Sequence, residues 1–275
     1  MPPFLSQLII YPIKSLAGIH VNHWPVNEKG LRYDRKWMLI DSDNKFLSQR
    51  RLPKMALIKT HLVDTTLILS APEMDAIQLS LKDTTEGEPV ITHIWHDDCL
   101  ARCVSTELDQ WFTTFLKQPC RLVYQPDSVN RIVDLTYATP TDKVNFSDGF
   151  PFLILSEASL KSLNEAMQLE VTMARFRPNL VIANCKAYAE DYWREIMIGE
   201  INFRLPKPCS RCSVPAINPN NAEITKEPLT TLNRLRKWQH KIFFGQNALH
   251  DQQGLLNIND PLIIHLSGKS QPPLI

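Results

Sequence analysis

Glycine is scarce in this chain: eight in 275 residues, at positions 18, 30, 87, 149, 199, 245, 254 and 268. None falls into G-x-G-x-x-G or G-x-x-x-x-G-K-[ST], so the common dinucleotide and P-loop fingerprints are absent and any phosphate site must be built another way. An excess of one charge is lacking as well. Thirty Lys and Arg against 29 Asp and Glu leave a formal net charge of +1, which argues against wrapping nucleic acid or an anionic membrane. No apolar run approaches the roughly 18 residues that span a bilayer, so no membrane association is expected. The opening MPPFLSQLIIYPIKS has no positive charge ahead of its short apolar run and no small-residue cleavage pattern. It does not read as a signal peptide, and a cytoplasmic location is expected. Six cysteines are too few for a disulfide scaffold at this length, and in that compartment they are expected to stay reduced.

Apolar residues are plentiful, at 44%, enough for one large domain or two small ones with a real core. The first hundred residues read as strands. Phe4 to Tyr11 is an apolar run ending at Pro12, Trp37 to Ile40 and Phe46 to Leu47 flank a turn, and Leu67 to Ser70, Ile77 to Leu81 and Val90 to Trp95 come after at short spacing, the rhythm of a barrel or sandwich. After Thr106, read as an N-cap, Leu108, Trp111, Phe112, Phe115 and Leu116 recur at helical spacing over about three turns. The polar stretch from Gln125 to Asp148 is expected to be a linker, with Ile132 to Leu135 available for local pairing. Beyond it, Phe152 to Leu155 reads as a buried strand, and Ser156 caps a helix through Leu160, Leu163, Ala166 and Met167. Asn179 to Ile182, Ile196 to Ile198 and Ile201 to Leu205 read as strands. Pro228 opens a helix carrying Leu229, Leu232 and Leu235, and short strands at Phe243-Phe244 and Leu262 to Leu266 close the chain.

Chemistry is concentrated in a few segments. Cys209-Ser210-Arg211-Cys212 places two thiols around a guanidinium that favours the thiolate, the form that ligates soft or redox metals. Three readings compete there. A zinc half-site would need two more ligands, for which His93, His96, Cys99 and Cys103 are available; a thioredoxin-like pair would need a βαβ setting; two packed, inert cysteines need nothing. Tyr11-Pro12-Ile13-Lys14-Ser15 puts a cation and a hydroxyl where the first strand leaves its sheet, a pairing that suits phosphate. Arg35 and Arg177 are equally fit for anions and for plain solvation.

The order and wording of these segments resemble the MOSC family, named for the C-terminal domain of molybdenum cofactor sulfurase. YPIKS and LRYDRKW are similar to the β-barrel domain that precedes MOSC, and FSDGFPFLILSEASL, RFRPNLVI, PCSRC, KEPLTTL and FFGQN to the MOSC domain itself. Within the family the similarity runs to the amidoxime-reducing branch. The resemblance implies a mostly β fold, β-rich α+β, with an N-terminal β-barrel domain at 1–124 packed on a MOSC β-barrel domain at 125–275 and a few flanking helices.

It also implies a molybdenum cofactor held by two pterin dithiolene sulfurs and one protein cysteine, which corresponds to Cys212. Lys14, Ser15, Arg35, Arg177 and Asn179 are assigned by it to the phosphate and pterin, Ser210 and Arg211 to the metal's surroundings, and Asp148, Gly149, Phe150 and Asn247 to the pterin pocket. Asp148 is in addition a candidate proton donor. The expected activity is reduction of small N-hydroxylated substrates such as amidoximes, hydroxylamines and N-hydroxylated bases; the alternative is a cofactor or sulfur carrier without turnover. Some bacterial relatives carry a C-terminal ferredoxin domain, but no cysteine follows Cys212 before Ile275. Electrons are therefore expected from a separate ferredoxin, cytochrome or flavoprotein reductase.

Overall fold

A computed structural model describes residues 2–81 and 87–272. β1 (Phe4–Ile10) sends Leu5, Leu8 and Ile10 into one core and Ile9 into another, so both of its faces are covered and the apolar run needs little polar interruption. It is followed by β2 (Ile19–Val21), β3 (His23–Asn27), β4 (Gly30–Leu31) and β5 (Trp37–Ile40). A meander of β6 (Lys59–Val63), β7 (Thr66–Ala71) and β8 (Met74–Ser80) comes next, then a hairpin of β9 (Pro89–Ile94) and β10 (Asp97–Cys103). α1 (Thr106–Leu116) packs Leu108, Trp111, Phe112, Phe115 and Leu116 against Trp37, Leu39, Leu67, Leu69 and Leu122, the face the spacing predicts. Its cap is Ser105, whose Oγ accepts the Leu108 N–H at 3.2 Å. The expected cap, Thr106, is already the first helical residue. β11 (Arg121–Tyr124) completes a four-stranded sheet ordered β5-β11-β10-β9.

The stretch expected as a linker is packed and paired. β12 (Arg131–Ile132) bonds to β13 (Lys143–Val144), and Val133, Val144 and Phe146 are buried. Arg131 fixes the segment leading out of β13, giving Nε to Asp97 at 2.7 Å and NH1 to the carbonyls of Asn145 and Ser147. After it come β14 (Phe152–Ser156), α2 (Glu157–Met167), β15 (Leu180–Ala183), β16 (Trp193–Ile198), β17 (Ile201–Ser210), α3 (Leu229–Leu235), β18 (Lys237–Trp238), β19 (Lys241–His250), β20 (Gly254–Asn257) and β21 (Leu262–Ser267). Ser156 caps α2 as expected, accepting the Ser159 N–H at 3.1 Å. β19 is a ten-residue strand, where the sequence suggests a short one around Phe243-Phe244.

The large sheet is ordered β2-β1-β15-β14-β19-β17-β16-β21, with β18 on β19. The β14–β15 pair is parallel, bridged by α2; the other pairs in this sheet are antiparallel. Strands from the chain's first thirty residues are thus built into later ones, since β1 pairs β15 and β3 pairs β20. This interleaving brings the exit of β1 next to the ends of β14, β17 and β19.

Candidate functional site

Past β1 the chain turns sharply: Lys14 N–H bonds to Trp37 O at 2.8 Å and Ser15 has φ +69°. Lys14 is 6% exposed and donates Nζ to Phe146 O at 2.7 Å and to Asp148 Oδ1 at 2.5 Å. Burial lowers its pKa, and the charge of Asp148 opposes that shift. Asp148, at the cleft mouth, has a 64% exposed side chain. Desolvation works to raise its pKa, but Lys14, Arg50 and the Trp95 N–H outweigh this and hold the carboxyl well below the usual range. Such a group accepts hydrogen bonds at neutral pH and has no proton to give. The hydroxyl and N–H of Ser15 have no protein partner among the described residues.

A second group is knotted around buried Asp34. Its Oδ1 accepts the Tyr11 N–H at 2.8 Å and Asn179 Nδ2 at 3.1 Å, and its Oδ2 accepts Arg35 NH1 at 2.6 Å. Desolvation pushes the Asp34 pKa up, with Arg35 opposing. Asn179 is 1% exposed and fully engaged, its Oδ1 taking Arg35 NH1 and the Leu153 N–H and its Nδ2 also reaching Ile9 O. It therefore orients Arg35. The Arg35 and Arg177 guanidiniums lie 4.4 and 4.2 Å from the Tyr11 ring centroid, and Arg177 NH1 donates to Leu16 O at 2.6 Å. Desolvation lowers the Arg177 pKa to about 10. Burial also pushes the Tyr11 hydroxyl up to about 12. Among the described residues no carboxylate bonds to Arg177, so its charge is left for something else.

The third group comes from β17 and β19, which pair Lys207 with Asn247 and Ser210 with Phe243. Asn247 Nδ2 donates to Pro208 O at 3.4 Å. Cys209 is half-buried, and its Sγ accepts Arg211 NH1 at 3.1 Å; Cys212 is exposed, beyond the strand end, with no hydrogen-bond partner among the described residues. Arg211 NH2 bonds to Phe176 O at 2.7 Å, while its buried Nε has no partner.

These groups share one cleft, open to solvent. Lys14, Ser15, Arg35, Asp148, Gly149, Phe150, Arg177, Asn179, Ser210, Arg211, Cys212 and Asn247 all line it. None of the residues singled out for the site lies elsewhere. Sequence reasoning missed Arg50, Ser48 and Gln49 on the wall, and Asp34, Tyr11 and Arg131, which bond to the wall or to the segments that carry it. Asp34, inside LRYDRKW, had a signal, since a carboxylate beside two cations invites a pairing. A larger, shallow depression lies over α2, lined by none of these residues. In the His93–Cys103 hairpin His93 Nδ1 pairs Asp98 at 2.7 Å and Cys99 is buried, and among the described residues no three His, Cys, Asp or Glu side chains converge as a metal site.

Comparison with known proteins gives the family. Residues 3–119 match the MOSC N-terminal beta barrel domain and residues 141–263 the MOSC domain. This chain belongs to the MOSC family, in the group that carries both domains. It is 34% identical over 279 residues to mitochondrial amidoxime-reducing component 1 of Homo sapiens, covering 94% of this chain and 82% of that one. Mitochondrial amidoxime reducing component 2 of Rattus norvegicus is 32% identical over the same shares. Molybdenum cofactor sulfurase of Oryza sativa subsp. japonica is 32% identical over 88% of this chain but only 32% of its own length. Among the described residues no helix is long and apolar enough to cross a membrane.

Proposed function

We propose that the cleft holds a molybdenum cofactor and that the protein uses it to reduce N-hydroxylated compounds such as amidoximes, hydroxylamines and N-hydroxylated bases. One observation carries this reading: the cleft gathers five cations against a single lining carboxylate around an exposed thiol. The donor set fits an anionic, phosphate-bearing group. Arg177 is desolvated without a carboxylate partner, Arg211 Nε is buried and unpaired, the Ser15 N–H and hydroxyl are free, and a Cβ on Gly149 would meet nothing within 4 Å. The names of the human and rice relatives, an amidoxime-reducing component and a molybdenum cofactor sulfurase, support the same group.

When bound, the cofactor supplies two-electron chemistry at molybdenum, which suits removal of an oxygen atom from nitrogen. The chain's own residues bind and orient. Cys212 offers the protein thiolate. Lys14, Ser15, Arg35 and Arg177 bind the phosphate and pterin, with Asn179 and Asp34 fixing Arg35. Ser210 and Arg211 would stand beside the metal, and Gly149, Phe150 and Asn247 would shape the pterin pocket. Asp148, held ionised, acts as an acceptor, which leaves solvent at the open mouth to supply protons. The electrons come from a separate protein, and the cytoplasm is the proposed compartment.

The test is molybdenum analysis of the protein purified from molybdenum-replete cells, followed by benzamidoxime reduction with a reduced viologen. Stoichiometric molybdenum with benzamidine formed is expected. Protein free of molybdenum overturns the reading, and molybdenum without turnover replaces it by the carrier.

A further inference from the structure

The rim of the cleft carries a feature that the chemistry above leaves unused. Trp95, at the turn between β9 and β10, is 47% exposed, and its backbone lies in the left-handed region at φ +57°. Bulky residues hold that conformation only where their surroundings keep them in it. Here the surroundings do. The Arg50 guanidinium lies 4.3 Å from the indole, Phe46 packs at 5.1 Å in an edge-on contact, and the indole N–H donates to Asp148 Oδ1 at 3.3 Å. A half-exposed indole is therefore held in place with the Arg50 guanidinium over its ring, next to two residues of the cleft lining, Arg50 and Asp148.

Asp148 is only half used. Lys14 and Trp95 both donate to Oδ1; Oδ2 has no partner among the described residues. Phe150, also in the lining, adds a second aromatic surface backed by Tyr137 at 6.2 Å.

We propose that Trp95 and Asp148 form the substrate-selecting rim of the cleft. The indole stacks on a planar substrate while Asp148 Oδ2 accepts one of its N–H groups. Flat N-hydroxyamidines and N-hydroxylated heteroaromatic bases are then taken in preference to small aliphatic hydroxylamines, which offer no ring to stack. Charge selects within that class. Lys14 and Arg50 flank the carboxylate, so the rim has no net negative charge and suits a neutral amidoxime better than a permanent cation of the same shape. This inference rests on the N-hydroxy reductase reading, and its test separates the two.

Benzamidoxime binding to the oxidised holoenzyme is measured by calorimetry without reductant, so that nothing turns over, on the wild type, Trp95→Phe and Trp95→Ala. Stacking of a flat ring on an indole predicts roughly tenfold weaker binding for Trp95→Ala. Trp95→Phe, which keeps a ring, should stay within about threefold. With a viologen as reductant, Trp95→Ala should lose kcat/KM for benzamidoxime by the same factor, through KM, and keep its rate on N-methylhydroxylamine. Unchanged binding in Trp95→Ala, equal losses on the two substrates, or no benzamidoxime binding to the wild type overturns the rim. If neither compound is reduced while benzamidoxime binding still tracks the ring, the reductase reading fails and the rim stands.

Discussion

Replacing Arg177 by Met should move two measurements in opposite directions. The methionine keeps most of the stem's packing over Tyr11 and removes the guanidinium, which lies 4.2 Å from that ring and bonds to Leu16 O. Desolvation has lowered the Arg177 pKa from 12.5 to about 10, so holding the charge in the cofactor-free cleft costs on the order of 3 kcal/mol. Against this, the Leu16 carbonyl loses a bond of about 1–2 kcal/mol. The cofactor-free variant should thus be as stable as the wild type or about 1–2 kcal/mol more stable. Affinity for an anionic cofactor should fall by a charge-assisted bond, about 1.5–3 kcal/mol, or roughly ten- to a hundredfold. Urea unfolding of the cofactor-free proteins reads the first effect, and molybdenum per chain after dialysis reads the second. A variant destabilised by several kcal/mol that keeps its molybdenum would make Arg177 a structural strut and refute the reasoning.

The same geometry sets three further outcomes. Gly245 has φ +80°, and an added Cβ would sit 2.8 Å from Ile154 O; Gly245→Ala should lower stability by about 1–3 kcal/mol in urea, and an unchanged midpoint would contradict that packing. Burial lowers the His250 pKa below 6.5 despite its contact with Asn27 O, so the unfolded chain binds the proton more readily and stability is lost as pH falls below about 6.5. His250→Gln should flatten that loss between about pH 7 and 5, and a parallel slope in both proteins would refute the assignment. Arg32, exposed and outside the cleft lining, should tolerate substitution by Ala with molybdenum content unchanged, which the same metal analysis checks.

Much of the fold is legible because its signals are local. The apolar spacing of Leu108 to Leu116 and the cap at Ser156 each lie within a few residues of what they determine. The stretch from Gln125 to Asp148 reads as a linker because its order comes from afar: Arg131 holds its carbonyls while anchored to Asp97, 34 residues away. Composition shows polarity there but not the bond. β19 reads as shorter than it is because Gly245-Gln246-Asn247 interrupts its apolar run, although Gln246 is buried against Asp191 and Gln271. In the site, the motifs name the residues that face the cleft. They hint at Asp34 by its charged neighbours but not at its partner Asn179, 145 positions away, and they do not name Trp95, whose partner Asp148 is 53 away. Such support has no periodicity and no fixed spacing.

The central claim is that Cys212 alone is the protein's ligand within the cleft, while Cys209, with Arg211 NH1 at 3.1 Å from its sulfur, is a neighbour. Molybdenum, zinc and benzamidoxime reduction measured side by side on Cys209→Ala and Cys212→Ala test it most directly. The account predicts that Cys209→Ala keeps molybdenum and most activity, losing at most the packing of a small side chain, about 1 kcal/mol. Cys212→Ala should be inactive, with any remaining cofactor held by its phosphate and pterin contacts. A Cys209→Ala protein that is inactive and free of molybdenum, or a Cys212→Ala protein that still reduces benzamidoxime, would contradict it.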